Sequence, residues 1–441
     1  MNNLEINQHL LRGDIQSKGV LPRLAQLETQ PFVFKQDFGL RELPQAPGII
    51  MIRGARQYGK STWLEQEIKA TIQKFGVGTA LYLNGDEIKD YVELIAILRQ
   101  MLNWFPKDAQ LKRIFIDEIT AIAEWERALK LLVDAGELAD ILVITTGSKA
   151  TDLHRGAERL PGRKGKLKRT NYIFTPIPYA EFYEKCHKTF GSDTLSAYIL
   201  SGGAAIAANS LAEYGYLAEH VVDTVTDWVY GEFARHNRSR INLMAVLDAM
   251  FKFAPNPVGQ AKLARESGLA NNTAAKEYTE LLGDLMILMP AYSFDTSRKI
   301  SIFRKECKFH FINLFFAMCS HPLKPRSISE LKNISATGMA PILEWLVAQE
   351  IYRQACIANQ DMLLLNFWQT SKHEIDFVIP TLNLGIEVKH GQEQPTNFGW
   401  FNPSAVGLDR LLVINQAKFS TKYVSGITLE EFLLNRFAFR P

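Results

Sequence analysis

The sequence predicts an α/β protein: a parallel sheet with helices on both faces, then a helical middle and a second α/β segment. Three observations carry that prediction. A glycine-rich loop, GARQYGKST at 54–62, follows an apolar run and precedes a stretch of helical periodicity. Short, nearly continuous apolar runs alternate with helical segments between 48 and 146, the pattern of strands buried on both faces. Apolar runs of strand length return after 362, beyond a glycine-punctuated helical stretch.

Taken in order, residues 1–46 carry weak signals and read as an irregular or helical lead-in. GIIMIR (48–53) is the first strand, and TWLEQEIKATIQKF after the loop is a helix. TALYLN (79–84) is the second strand, with YVELIAILRQMLNWF as the helix behind it. KRIFID (112–117) and DILVITT (140–146) are two more strands, separated by the helix-like EWERALKLLVDAG. From about 190 to 300 the pattern is helical, interrupted at SGG (201–203). MLLLNFWQ (362–369), EIDFVIP (374–380), LGIEVKH (384–390) and RLLVIN (410–415) are the late strands. The layout is a lead-in (1–46), a nucleotide domain (47–190), a helical middle (191–300) and a C-terminal α/β domain (301–441).

Composition narrows the class. The 441 residues are 47% hydrophobic and 22% charged, enough apolar content for several buried cores. With 50 basic against 47 acidic residues the net charge is +3, so nucleic-acid binding would have to come from local patches. The start, MNNLEINQHLLRGDIQ, lacks the basic and apolar regions of an export signal, and no apolar run reaches membrane-span length. A cytoplasmic protein without a membrane partner is expected. Cys186, Cys307, Cys319 and Cys356 are far apart with no CxxC pair, so they read as isolated thiols.

The loop satisfies G-x-x-x-x-G-K-[ST] through Gly54, Gly59, Lys60 and Ser61. In that pattern the backbone from Gly54 through Ala55, Arg56, Gln57, Tyr58 and Gly59 wraps a phosphate with its N–H groups inward. Lys60 reaches the β- and γ-phosphates, Ser61 ligates magnesium, and the helix beginning near Thr62 adds its positive end. The second half of such a site is an acid ending an apolar strand. RIFIDE supplies Asp117 to orient the metal and Glu118 to polarise a water for attack on the γ-phosphate. The polar end of the next strand, ITTGS, brings Thr146 and Ser148 near the same phosphate.

GARQYGKST, IFIDEI followed by Trp125, VITTGS, and ERLPGR before FTPIPYAEF together resemble a family of bacterial and archaeal AAA-type ATPases. That family carries a helical and winged-helix middle and a restriction-endonuclease-like C-terminal domain, and the resemblance spans about 48 to 415. It implies a P-loop NTPase fold, ATP as the nucleotide with Mg2+, and a homo-oligomer. It also implies an arginine reaching the γ-phosphate of a neighbouring subunit. Arg159 and Arg163 are the candidates, with Arg163 matching the family's GR pair.

QAKLARESGLANNTAAKEYTELLGDLMIL (260–288) has the cadence of a helix-turn-helix. Gly268 makes the turn, and Asn271, Asn272 and Thr273 can cap the second helix, with ILMPAYS and RKISIF as a wing. Lys262, Asn272 and Lys276 would contact DNA in one reading; in the other the module is a structural lid or hinge. Further basic clusters lie at Arg155, Arg159, Arg163, Lys164, Lys166, Lys168 and Arg169, and at Arg235, Arg238 and Arg240.

Near the end stand Asp376, Glu387 and Lys389. On an extended strand Glu387 and Lys389 share a face, and a short turn at PTLN would set Asp376 on the adjacent strand. Two such carboxylates make a hard-oxygen magnesium site, and the lysine can orient an attacking water. The spacing resembles the core of the PD-(D/E)xK nucleases, in which Glu344 would supply a further metal-binding acid from an upstream helix. The leading expectation is an ATPase whose cycle regulates a metal-dependent nuclease acting on DNA or RNA, with genome defence as a setting by analogy. The alternatives are a nucleotide-dependent switch or assembly ATPase with an inactive nuclease-like domain, and a DNA-binding regulator working through the winged helix.

Overall fold

The computed structural model describes residues 1–148, 166–360 and 364–434. The chain divides into two compact units, Met1–Thr175 and Pro176–Pro441.

In the first unit β1 (Gly48–Arg53), β2 (Ala80–Asn84), β3 (Arg113–Asp117), β4 (Leu142–Gly147) and β5 (Asn171–Ile173) form one sheet in the order β2-β3-β4-β1-β5. Every pairing is parallel. Four of these strands are those the sequence predicts. β5 was not expected, because three residues behind a basic stretch give no periodic signal. β3 and β4 are buried along their whole length, as strands covered on both faces must be. On one face Ile49, Met51, Leu81, Leu83, Ile114 and Ile116 pack with the apolar stripes of two helices, α4 (Tyr91–Leu102) and α5 (Trp125–Asp134). The helix after the loop, α3 (Lys60–Phe75), buries Trp63, Leu64 and Ile68. Trp63, Phe38 and Phe174 form an aromatic cluster with ring centroids 4.8–6.4 Å apart.

The lead-in is helical and integral to this unit. It contains α1 (Asn3–Arg12), opened by a capping box between Asn2 and Glu5, and the short α2 (Pro22–Leu27). α1 closes the exposed edge of the sheet. Asn7 donates to the Tyr82 carbonyl at 2.6 Å and accepts from the Tyr82 N–H at 2.8 Å. Asn3 does the same for Asn84, at 3.1 and 2.6 Å. Four residues of helix rise about 6 Å and two residues of strand about 6.6 Å, so an i, i+4 pair of amides matches an i, i+2 pair of edge residues. Two side chains therefore stand in for a sixth strand and satisfy an edge that would otherwise be an aggregation template.

The second unit opens with helices α6 (Tyr179–Phe190), α7 (Thr194–Ser201), α8 (Ala205–Tyr214), α9 (Glu219–Arg235), α10 (Arg240–Phe253), α11 (Gln260–Glu266) and α12 (Asn272–Asp284). Gly202 in SGG has φ +56°, and a β-carbon there would lie 2.1 Å from the Phe315 nitrogen, so only glycine fits. A sheet follows from β6 (Leu288–Asp295), β7 (Ile300–Ile302), β8 (Lys308–Phe311), β9 (Leu365–Gln369) and β10 (Glu374–Ile375), with β6 paired to β7, β8 and β9. Another runs β11-β12-β13-β15-β14, from β11 (Phe377–Ile379), β12 (Leu384–Val388), β13 (Arg410–Asn415), β14 (Phe419–Ser420) and β15 (Val424–Thr428). Between β8 and β9 in sequence lie α13 (Leu314–Ser320), α14 (Ile328–Lys332) and the 22-residue α15 (Ala336–Ile357), which is buried nearly all round.

The expected single strand EIDFVIP is two. β10 pairs with β9 and β11 with β12, so the chain changes sheets at Asp376. The cause is local: the Asp376 carboxylate accepts the Val388 N–H at 2.9 Å, and its own N–H turns to the Glu387 carboxylate at 3.3 Å. All four cysteines are free, and Cys186, Cys319 and Cys356 are buried. No helix among the described residues is long and apolar enough to cross a membrane.

Asn7 is 1% exposed, so replacing it with leucine strands both Tyr82 backbone groups without water. Urea unfolding of Asn7→Leu should show a loss of about 2–4 kcal/mol, taking roughly 1–2 kcal/mol for each orphaned group. A loss under half a kcal/mol would refute the strand-mimic account.

Candidate functional site

The loop bends back on β1 to leave a cradle. A β-carbon on Gly54 would lie 2.7 Å from the Phe174 carbonyl, and Gly59 has φ +100°. Gln57 also sits at positive φ, a strained position for a non-glycine residue. Ala55 and Tyr58 are buried, Arg56 is half-buried, and Gln36 of the lead-in donates to the Tyr58 carbonyl at 2.6 Å. Lys60 is buried at the start of α3, its ammonium donating to the Gly54 and Ala55 carbonyls at 2.8 and 2.9 Å. Burial brings its pKa down to about 8. Ser61 and Thr62 follow, half-buried, in the first turn.

β4 lies between β1 and β3, which sets its polar end against the acids. Asp117 accepts the Thr146 hydroxyl at 2.5 Å, and the Glu118 N–H donates to the same hydroxyl at 3.1 Å. Glu118 has φ +50° and accepts from the Thr120 hydroxyl at 2.6 Å, the Ser148 N–H at 3.0 Å and the Ser148 hydroxyl at 2.8 Å. Burial works against its charge, yet Lys60 and then the Thr120 and Ser148 hydrogen bonds hold its carboxyl below the ordinary glutamate value. Arg56 donates to the Ser148 hydroxyl at 3.2 Å, so the loop and Glu118 share one partner. The structure thus gathers Gly54 through Thr62, Asp117, Glu118, Thr146 and Ser148 at the carboxyl ends of β1, β3 and β4. Arg159 and Arg163 lie outside the described residues.

These residues fit a nucleoside triphosphate with a divalent ion. Glycine at 54 lets the loop pack directly on the Phe174 backbone, a buried ammonium sits at the base of the loop, and a buried acid ends β3 beside it. Lys60 and the loop amides would hold the phosphates, with Ser61 and Asp117 on the metal.

Sequence reasoning missed Arg23. Its guanidinium lies 3.0 Å from Glu65 and 3.9 Å from Asp117, while the Arg23 and Leu24 N–H groups donate to Glu65 at 2.9 and 3.2 Å. Glu65 is 3% exposed and sits one turn past Ser61, so the lead-in is fastened to the loop's own helix. Nothing in LPRLAQL announces this, because the partner is remote in sequence.

The second expected constellation also comes together. Phe377 pairs with Ile386, so Asp376 and Glu387 meet across adjacent strands, and Lys389 reaches Glu387 at 2.5 Å. Glu344 projects from α15 toward the same place. Unexpected was Lys308 on β8, 2% exposed, whose ammonium lies 2.5 Å from Glu374, 2.9 Å from Asp376 and 3.6 Å from Glu344. Burial alone would lower its pKa, but Asp376, then Glu344 and Glu374, hold it above the ordinary lysine value. Burial opposes charge on Asp376 too, and Lys308 followed by Lys389 keeps its carboxyl below the aspartate norm. Glu387 is pushed up to about 8, first by burial and then by Asp376. This arrangement does not fit a divalent ion: the Lys308 ammonium takes Asp376 and Glu344, Lys389 takes Glu387, and among the described residues no group of three acids, histidines or cysteines could hold a metal. Nothing in KFHF betrays Lys308, since strand alternation sets it with His310 on the face opposite Phe309 and Phe311 and the apolar residues would be expected to point inward.

The helical middle bears the expected turn. Gly268 has φ +66°, Asn271 caps α12 by accepting the Ala274 N–H at 2.9 Å, and β6 and β7 form the following antiparallel pair. Lys262, Asn272 and Lys276 are exposed, but Lys276 pairs with Glu280 at 3.4 Å and Arg238 with Glu277 at 2.9 Å.

Residues 46–183 match the family model of an AAA domain, and this segment is an AAA-type P-loop domain. No curated protein matches the sequence. Among solved structures, the chain is similar to Cdc6p from Pyrobaculum aerophilum at 14% identity and TM-score 0.28, over 78% of this chain and 96% of that one. It is also similar to AMPPCP-bound DnaA from Aquifex aeolicus at 12% identity and TM-score 0.28, over 54% of this chain and 80% of that one.

Arg23 would compete with a metal bound at Asp117, so Arg23→Ala should lower the Mg2+ concentration needed for half-maximal nucleotide binding. At 3.9 Å, with the guanidinium 41% exposed, the effect should be about 1 kcal/mol, roughly fivefold. A fluorescent-nucleotide titration against Mg2+ reads it; an unshifted midpoint would remove Arg23 from the site.

Proposed function

We propose that the protein is an ATP-hydrolysing nucleotide switch run by its AAA domain. The observation that carries this reading is the joint seating of Glu118 and Asp117 on the Thr146 and Ser148 hydroxyls, beside a lysine-floored phosphate cradle. Loop amides and Lys60 bind the triphosphate. Bound Mg2+ would neutralise charge on its β- and γ-phosphates. Glu118, kept ionised by Lys60 and three hydrogen-bond donors, accepts the proton of the attacking water. Ser148, shared by Arg56 and Glu118, links the loop that senses the phosphate to the base that acts on it.

An arginine from a second copy belongs to the same proposal, with Arg163 preferred over Arg159. Its signature is a specific activity that rises with protein concentration and falls in Arg163→Ala. For α11, α12 and the β6–β7 hairpin, a winged-helix module with a structural role is better supported than a DNA reader, because carboxylates neutralise Lys276 and Arg238. Unchanged DNA affinity after replacing Lys262 and Lys276 agrees with that role.

Magnesium-dependent ATP turnover of the full chain tests the main reading. Lys60→Ala should lose nucleotide binding. Glu118→Gln should still bind ATP while turnover falls about 10²–10⁴-fold, the usual worth of a positioned general base. Turnover that persists in both variants would end the ATPase assignment.

A further inference from the structure

The C-terminal carboxylates surround a cation that the chain itself supplies. Lys308 enters from β8, opposite Ala291 of β6. Its partners come from three other places: Glu344 from the middle of α15, Glu374 from β10, and Asp376 from the residue where the chain changes sheets. Asp376, Glu344 and Lys308 are respectively 4%, 5% and 2% exposed, so the ammonium is enclosed and cannot be traded for water. The other carboxylate atoms are mostly committed: Asp376 also takes the Val388 N–H, and Glu387 takes Lys389 and the Asp376 N–H. One Glu344 oxygen has no hydrogen-bond partner and points toward Lys308 at 3.6 Å.

Magnesium demands oxygens at about 2.0–2.1 Å in near-octahedral array and gives up its waters reluctantly. An ammonium holds the same oxygens at hydrogen-bond distance and arrives already tethered, so it surrenders no translational freedom on binding. Withdrawing it would leave two buried carboxylates bare, the costly half of breaking a buried ion pair.

We propose that Lys308 is the resident cation of this centre, and that Lys308, Glu344, Glu374 and Asp376 form a metal-free ionic brace joining α15 to both sheets, in place of a metal-dependent phosphodiesterase site. The brace stands independently of the ATPase reading, and ATP turnover in each variant below tests that reading separately.

The test is Mn2+ binding to the full chain without nucleotide, by electron paramagnetic resonance, with sites that respond to Asp117→Asn set aside. The wild-type protein should show no Mn2+ site sensitive to Asp376→Asn. Lys308→Met should melt at lower temperature, gain one Mn2+ site, recover part of its melting temperature in millimolar Mn2+, and lose that site in Lys308→Met/Asp376→Asn. Should Lys308→Met not fold, the charge-stripped Lys308→Met/Glu344→Gln/Glu374→Gln/Asp376→Asn variant should, because no member of the brace is left unmatched. The proposal is overturned by an Asp376-dependent Mn2+ site in the wild type. Mn2+-dependent cleavage of DNA or RNA that needs Asp376 and Lys389 overturns it equally. So does a folded Lys308→Met that takes up no Mn2+, or a charge-stripped variant that fails to fold.

Discussion

A charge removed from water must be met by another charge or by aimed dipoles, and the chain is arranged around that constraint in three places. Glu65, almost wholly buried in α3, is met by the guanidinium and two backbone N–H groups of the lead-in. Asp117 and Glu118 are met by hydroxyls from the neighbouring strand and by Lys60. Lys308 is met by carboxylates from three separate elements. In each case the matching group comes from a distant part of the sequence, so pairing the charge also fixes the tertiary arrangement.

The lead-in shows how much depends on such matching. α1 buries Ile6 and Leu10 and the following segment buries Phe38, but the short α2 buries no residue completely, so its place depends on polar contacts. Asn3 and Asn7 give it a register against β2, while Arg23 fastens it to α3. The same contacts protect the open sheet edge and put a cation 3.9 Å from Asp117. A segment that looks like a dispensable preface is thereby both edge protection and a neighbour of the loop and of Asp117.

Legibility in the sequence followed the range of the interaction. The loop, Asp117, Glu118, Thr146 and Ser148 were readable because a strand end and the following turn fix each of them locally. Asp376 and Glu387 were readable for the same reason, as a short hairpin brings them together. β5 was missed because its three residues are a strand only by virtue of β1 beside them. Arg23, Asn3, Asn7 and Lys308 were missed because their roles exist only across separations of dozens of residues. Lys308 in particular sits in RKECKFHF, where neighbouring charges make a solvent-facing lysine the natural expectation.

The two carboxylate centres differ in one respect that bears on what each can do. At the proposed nucleotide site the acids are held by Lys60 together with neutral hydroxyls, and the hydroxyls can turn toward a water or a phosphate without leaving any charge unmatched. At the C-terminal centre the partner is a buried ammonium, and any ligand must first displace a full charge at a cost of about 3–5 kcal/mol. Hydroxyl-held acids suit a site that changes partners in every cycle. Ammonium-held acids suit a joint that should never change. Similar residue types within one chain are thus suited to a switch in one place and to a fixed tie in another, and the polarity of the nearest partner decides which.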